Sequence, residues 1–278
     1  IQFTPDLLPS DITGSEVLNI DSQTQDRVFS FIRGPIFGNL ILADEINRAS
    51  PRTQSALLES MQEGRVTVGG KAHDLPWPFM VFATQNPYES EGTFPLPEAQ
   101  LDRFLMHTIV TFPDEKSEER VLQEHVKSSL IGENLRFEKD EHQHHGLEKE
   151  KIDQLIRYCH QIPIDSAIIT AVNELIRSSR PQDPSCPVEQ REWIWYGSGP
   201  RGGISLISAS RALAALEGKE SVSWQHIRYL AKPVLRHRIR LANHIIEEET
   251  TVDQLIDGLL QKVEQKYKNL AQGIDAAP

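Results

Sequence analysis

The sequence predicts an α/β core with a largely parallel sheet, followed by a smaller all-helical unit. Three observations predict it. Short apolar runs alternate with helix-period patterns through the first half; a polar stretch from Gly132 to Glu150 interrupts the chain; from Lys151 onward only helical periodicity remains. Strand, helix, strand alternation builds a parallel sheet covered by helices.

Taken in order, Asn39-Leu-Ile-Leu-Ala43 and Phe79-Met-Val-Phe-Ala83 are brief apolar runs, the pattern of strands buried on both faces. Between them Ser50-Pro51 reads as an N-cap followed by proline at the first helical position. Leu57, Leu58 and Met61 share one face of that helix, and Gly64 stops it. A further strand is expected over 105–112, ending at Pro113. Two hairpins are expected. Arg65–Val68 and Lys71–Leu75 flank Gly69-Gly70, a turn pair able to take positive φ, and Glu16–Asn19 and Val28–Arg33 flank the polar stretch Asp21 to Asp26. In the second half, Leu206, Ala209, Leu213 and Leu216 form a helical stripe closed by Gly218. Ser223 caps the next helix, and Pro233 ends or bends it. The expected division is a core over 1–130, a polar linker over 131–150 and a helical unit over 151–278.

Composition narrows the function classes. The 278 residues are 38% hydrophobic and 25% charged, enough to bury cores and unlike a disordered chain. A net charge of −11 argues against a general binder of nucleic-acid backbones. No apolar run reaches the roughly 18–20 residues of a membrane span. Two cysteines, Cys159 and Cys186, make no disulfide framework, so a reducing cytoplasm is the expected setting.

Four places hold residues suited to phosphate chemistry. Asp44-Glu45 follows the first apolar strand, and ligands of open α/β sheets sit beyond the carboxyl ends of strands. An aspartate there can hold Mg²⁺ through water, and the adjacent glutamate can polarise a water for attack on a terminal phosphate. Two solvated acids at a turn read equally well. Asn86, in Thr84-Gln-Asn-Pro87, ends the second strand and can hydrogen-bond the attacking water, although an Asn-Pro turn suffices as an explanation. Arg103, in Pro97-Glu-Ala-Gln-Leu-Asp-Arg-Phe104, can offset charge on a neighbouring subunit's phosphate; a surface Asp–Arg pair is the plain alternative. Arg201 opens a helix after Gly197-Ser-Gly-Pro200, where its charge opposes the helix dipole and an anion between the two halves would account for it.

In this order the four resemble known motifs. Asp44-Glu45 resembles a Walker B motif, Asn86 a sensor 1 residue, Arg103 an arginine finger and Arg201 a sensor 2 arginine. With Phe3-Thr-Pro-Asp-Leu-Leu-Pro-Ser-Asp-Ile-Thr-Gly14, Ala43-Asp-Glu-Ile-Asn-Arg48 and Pro233-Val-Leu-Arg-His-Arg238, the chain resembles the MoxR family of AAA+ ATPases from Ile1 to about Arg240. The resemblance implies a P-loop-type α/β core with a small all-α lid, the two hairpins being insertions typical of this branch. It implies ATP and Mg²⁺ as cofactors: Asp44 helps hold Mg²⁺, Glu45 activates water, Asn86 positions it, Arg201 reaches the phosphate from the same chain and Arg103 from the next. It also implies self-association into a ring, commonly a hexamer. Chaperone-like work on client protein complexes is implied too, including metal-cofactor insertion, with von Willebrand factor A domain proteins as partners.

One family element is missing from the sequence. The phosphate loop G-x-x-x-x-G-K-[ST], whose amides and lysine cradle phosphates, has no match. Gly70-Lys71 is followed by Ala72 with Arg65 at the first glycine's place, and Gly218-Lys219 by Glu220 with Leu213 there. The expectation is that the family's first strand, phosphate loop and first helix lie upstream of Ile1 and are missing here. That would leave open sheet edges, so the isolated chain is expected to bind ATP poorly and to be poorly soluble. A regulatory subunit that binds partners without hydrolysing ATP is the alternative, as is another motor with the same insertions, a chelatase subunit or a helicase.

Other features have plainer readings. His142, His144 and His145 lie in the charged linker without nearby cysteines, the setting of a solvated loop rather than a zinc site. Cys159 reads as a partly buried thiol, and Trp193 and Trp195 as packing residues. Arg228, Lys232, Arg236, Arg238 and Arg240 concentrate positive charge, for an interface or as a solvated face.

Overall fold

A computed structural model describes residues 1–20, 27–87, 92–131, 148–243 and 251–267, with the backbone alone over 127–131. The polar stretch Asp21–Asp26, nearly all of the linker and the three linker histidines lie outside the described residues. Chain order runs α1 (Pro9–Thr13), β1 (Gly14–Ile20), β2 (Arg27–Arg33), β3 (Leu40–Ala43), α2 (Pro51–Glu63), β4 (Arg65–Val68), β5 (Lys71–Asp74), β6 (Met80–Ala83), α3 (Glu98–Leu101) and α4 (Glu115–Ile131). Then follow α5 (Lys149–Gln161), α6 (Ser166–Ser178), β7 (Ile194–Tyr196), α7 (Pro200–Leu216), α8 (Trp224–Leu235), β8 (Arg240–Leu241) and α9 (Val252–Lys266).

The sheet that positions the site is parallel. β3 pairs with β6 in register Leu40↔Met80 to Ala43↔Ala83. On its other side the first residues run parallel to β3, with Phe3 N donating to Asp44 O at 2.9 Å and Asp44 N to Ile1 O at 2.8 Å. The connection from β3 to β6 passes through α2, whose start and stop follow the sequence. Ser50 accepts from the Thr53 amide, Pro51 takes the first position, and Gly64 leaves at φ 66°. Leu57 and Leu58 are fully buried and share a core with Phe3, Ile12, Ile36, Ala43 and Ile46. Burial of this size, at about 25 cal/mol per Å² of apolar surface, holds α2 on the sheet.

Both hairpins form. β1 and β2 pair antiparallel with Glu16 opposite Phe31, and β4 and β5 with Val68 opposite Lys71. Gly69 and Gly70 both take positive φ, 57° and 76°, as a two-residue turn of that twist requires.

Three expectations are corrected. Residues 105–112 form no strand: no strand among the described residues lies beside them to complete a ladder, and Val110 and Phe112 are 94% and 86% exposed. β3 and β6 are not buried on both faces. Ile41 and Ala43 point into the core, whereas Leu40, Leu42, Met80 and Phe82 are more than half exposed, because α2 covers one face only. Leu216 is exposed as well. It is the last residue of α7, beyond Leu206, Ala209 and Ala214, the buried apolar positions of that helix.

The helical half has its own core, in which α6, α7, α8 and α9 pack Leu175, Leu206, Ile227, Leu235, Leu255 and Ile256 together. Ser223 and His226 form a capping box at the start of α8, which ends two residues after Pro233. A two-stranded ribbon, β7 with β8, accompanies the helices. Trp193 packs against this core, while Trp195 is 71% exposed on the ribbon. No described helix is long and apolar enough to cross a membrane.

Candidate active site

The end of β3 turns sharply. Glu45 adopts a left-handed conformation, φ 54° and ψ 47°, the only such non-glycine among the described residues. A non-glycine residue stays there only when its surroundings fix it. Here Thr84, at the end of β6, supplies them. Its backbone N donates to Ala43 O at 2.9 Å and its carbonyl accepts from Ile46 N at 3.0 Å. Its hydroxyl accepts from Glu45 N at 2.9 Å and donates to Asp44 Oδ1 at 2.5 Å. One threonine thus aligns the two acidic residues.

The Glu45 carboxylate is held as well. Oε2 accepts from Gln2 Nε2 at 2.9 Å and from Arg48 Nη1 at 3.0 Å. Asn86 sits two residues past Thr84, and its carbonyl accepts from Asn47 Nδ2 at 3.3 Å. The buried Gln54 amide ties the same loop down, donating to Ile46 O, Ala49 O and Phe94 O. The structure therefore brings Asp44, Glu45 and Asn86 to one strand-end edge, as the sequence suggested. Thr84, Gln2 and Arg48 were passed over. The alternation of Thr84 with Asn86 along one extended segment was the available signal.

The two arginines lie together elsewhere. Arg103 is exposed and makes no ion pair among the described residues, whereas Asp102 before it carries two cations. Arg201 Nη1 meets Asp102 Oδ2 at 3.4 Å, and Arg238 Nε meets Asp102 Oδ1 at 2.7 Å. Arg201 and Arg103 thus share one place in the fold, at the seam between the sheet-bearing half and the helices. The acid that explains an arginine in the first turn of α7 is Asp102.

The basic stretch 228–240 is an internal structure. Arg228, Lys232 and Arg236 pair with Glu264, Asp257 and Asp253 of α9, while Arg238 and Arg240 pair with Asp102 and Glu98. His237, between two of these arginines, donates from Nε2 to Phe104 O at 3.1 Å. Burial first, and the Arg238 charge beside it, hold its pKa down at about 4. Burial also pushes the Arg238 pKa down, against the pull of Asp102. Cys186 is buried and free, Cys159 half-buried and free.

Asp44 fits the metal side of a nucleotide site. Mg²⁺ keeps several waters and takes one or two carboxylates plus phosphates, so a single oriented aspartate at a strand end suffices. No cluster of three or more metal-ligating side chains occurs among the described residues.

Comparison with known proteins follows the same lines. Residues 1–106 match the family described as ATPase family associated with various cellular activities (AAA), and residues 190–258 match the AAA lid domain. The chain is 44% identical over 241 residues to a Bacillus subtilis protein named YeaC and described as uncharacterized, covering 87% of this chain and 68% of that protein. It is 34% identical over 273 residues to Chaperone MoxR1 of Mycobacterium tuberculosis, covering 95% of this chain and 66% of the relative. A crystal structure of a Cytophaga hutchinsonii protein assigned as an ATPase superposes with a TM-score of 0.79 at 34% identity, covering 94% of this chain and 76% of that one. The chain thus spans about two thirds to three quarters of the lengths of these relatives. An α/β core, a helical lid and these matches agree: the chain belongs to the MoxR family of AAA+ ATPases.

Proposed function

We propose that the chain couples ATP hydrolysis to the assembly, remodelling or activation of partner protein complexes, working as a ring of identical subunits, six by family habit. The observation that carries this reading is the Thr84-braced turn, which sets Asp44 and Glu45 side by side at the end of β3 with Asn86 at the end of β6. In this reading Asp44 is the Walker B aspartate that holds Mg²⁺ through water, and the metal, when bound, offsets phosphate charge. Glu45 accepts the proton of the attacking water, and Asn86 orients that water. Arg103 is the arginine finger for the neighbouring copy, consistent with its exposed and unpaired guanidinium among the described residues. Arg201 is the sensor 2 arginine, reaching its own chain's nucleotide. The Arg201–Asp102 pair favours a second reading, in which Arg201 accompanies Arg103 to the neighbour's phosphate. Von Willebrand factor A domain proteins are the proposed partners and the cytoplasm the proposed setting.

The test is steady-state Mg-ATP hydrolysis by the protein as its gene encodes it, alone and as Glu45→Gln. Loss of a general base is expected to lower kcat by about 10²–10⁴-fold while nucleotide binding persists. Pull-down of partners with the nucleotide-trapped Glu45→Gln form then identifies the client. A natural protein that binds nucleotide without hydrolysing it points to the regulatory subunit instead.

A further inference from the structure

We propose that Arg238 is the positioning residue for Arg103, so that the helical lid sets the reach of the finger. The inference rests on the ATPase reading above and deepens it.

Arg238 follows α8, and its side chain is 1% exposed. Every N–H direction of its guanidinium finds an acceptor. Nε donates to Asp102 Oδ1 at 2.7 Å, and Nη2 to Phe104 O at 2.7 Å, to Asp102 O at 3.1 Å and to Ser205 Oγ at 3.2 Å. Nη1 donates to Leu105 O at 3.2 Å and to Val234 O. Three of these acceptors are backbone carbonyls of residues 102, 104 and 105, so one buried lid side chain grips the chain on both sides of Arg103. His237 adds a second lid donor to Phe104 O, and Arg201 of α7 takes the remaining oxygen of Asp102.

Leu101 and Phe104, on either side of Arg103, pack against the sheet-side core. The lid holds the segment again where His107 N donates to Pro233 O at 2.7 Å and where Arg240 pairs with Glu98. Arg103 stands between a four-residue helix, α3, and the exposed stretch 105–112, which pairs with no strand among the described residues. A transition-state cation contributes fully only when its geometry is held, and a misplacement of about 1 Å costs about 10²-fold. A rigid fork with five donors can bracket three carbonyls and a carboxylate at once; a lysine with three donors on a flexible stem cannot. Any change in lid angle therefore moves Arg103 with it.

The experiment uses the protein as its gene encodes it, comparing wild type, Arg103→Ala, Arg238→Lys, Asp102→Asn and the Arg103→Ala/Arg238→Lys double variant. Arg238→Lys is expected to lower kcat about tenfold or more while KM for Mg-ATP stays within about twofold, the split of a group acting in the transition state alone. The double variant is expected to be no slower than Arg103→Ala, because Arg238 acts through Arg103. Asp102→Asn keeps side-chain size and the carbonyl grip, so it reads out the same loss in smaller measure should Arg238→Lys fold poorly. An unchanged kcat in both Arg238→Lys and Asp102→Asn overturns the proposal, as does a double variant slower than Arg103→Ala by the full Arg238→Lys factor. Wild type active and Arg103→Ala equally active also overturns it. Wild type without hydrolysis removes the ATPase reading itself, and this proposal with it.

Discussion

The Thr84 hydroxyl donates to Asp44 Oδ1 across 2.5 Å while accepting from the Glu45 amide at 2.9 Å, so one side chain holds both acids of the candidate site. Thr84 is exposed, and water replaces part of what its loss removes. Thr84→Val is therefore expected to cost only about 1 kcal/mol of stability by urea unfolding. The turn at Glu45 depends on that hydroxyl more than the fold does. Hydrolysis is expected to fall about tenfold or more, and Thr84→Ser to restore most of it. A loss in Thr84→Ser with none in Thr84→Val would show that the methyl group, not the hydroxyl, matters.

Stability is expected to fall on acidification through the seam at His237. Its folded pKa of about 4 lies below the ordinary 6.5 because burial and Arg238 disfavour the charged ring. The unfolded chain therefore binds more protons between those values. The contribution is complete above about pH 6.5 and is lost as pH falls to about 4, on the order of 3 kcal/mol in all. His107, also held low by burial and by Arg236, acts in the same direction. Nδ1 of His237 has no hydrogen-bond partner among the described residues, so the added proton finds no acceptor there. Denaturant midpoints at pH 7.5, 5.5 and 4.5 read the slope, and His237→Phe is expected to flatten it.

What the sequence revealed and what it hid divide along physical lines. Local signals carried well: Ser50-Pro51 and Gly64 bound α2, and Gly69-Gly70 turned a hairpin, because caps and turns depend on a few neighbouring residues. Asp44, Glu45 and Asn86 were legible because strand ends converge at a sheet edge wherever strands are parallel. The Arg201–Asp102–Arg238 junction was not, since it joins residues 99 and 136 positions apart and no periodicity encodes such a distance. The apolar run 105–112 misled for a related reason: β propensity reports a side chain's fit to a sheet, and a strand exists only beside a partner. The basic stretch 228–240 hid its acids in α9 and α3, far along the chain.

Two glycines with positive φ are expected to respond differently to alanine. Gly64, the C-cap of α2 at φ 66°, has nothing within 4 Å of an added Cβ, so Gly64→Ala meets backbone strain alone, about 1 kcal/mol. At Gly14, φ 92°, the same carbon would stand 2.2 Å from Ile32 O and 2.6 Å from Gly34 N. Those are backbone atoms of the paired hairpin and cannot give way singly. Gly14→Ala is expected to cost about 3 kcal/mol or more, with thermal unfolding separating the two. Equal costs would mean that the β1–β2 hairpin shifts freely at its base.

The ion pairs of α8 are expected to be unequal, and their exposure decides which matters. Arg236 is 14% exposed and meets Asp253 through two bonds, Nε to Oδ1 at 3.1 Å and Nη2 to Oδ2 at 2.6 Å, with a third to His107 O. Its removal strands a half-buried carboxylate and a carbonyl, so Arg236→Ala is expected to cost about 2–3 kcal/mol. Arg228 is 57% exposed, and water solvates its charge when Glu264 does not. Arg228→Ala is expected to cost under about 1 kcal/mol. Because all five cations of 228–240 already face an internal acid, they form no free stripe for a phosphate backbone. A short DNA duplex is therefore expected to bind no more tightly than about 10⁻⁵ M at 150 mM salt by fluorescence anisotropy. Tighter, steeply salt-dependent binding would mean that these pairs open to receive it.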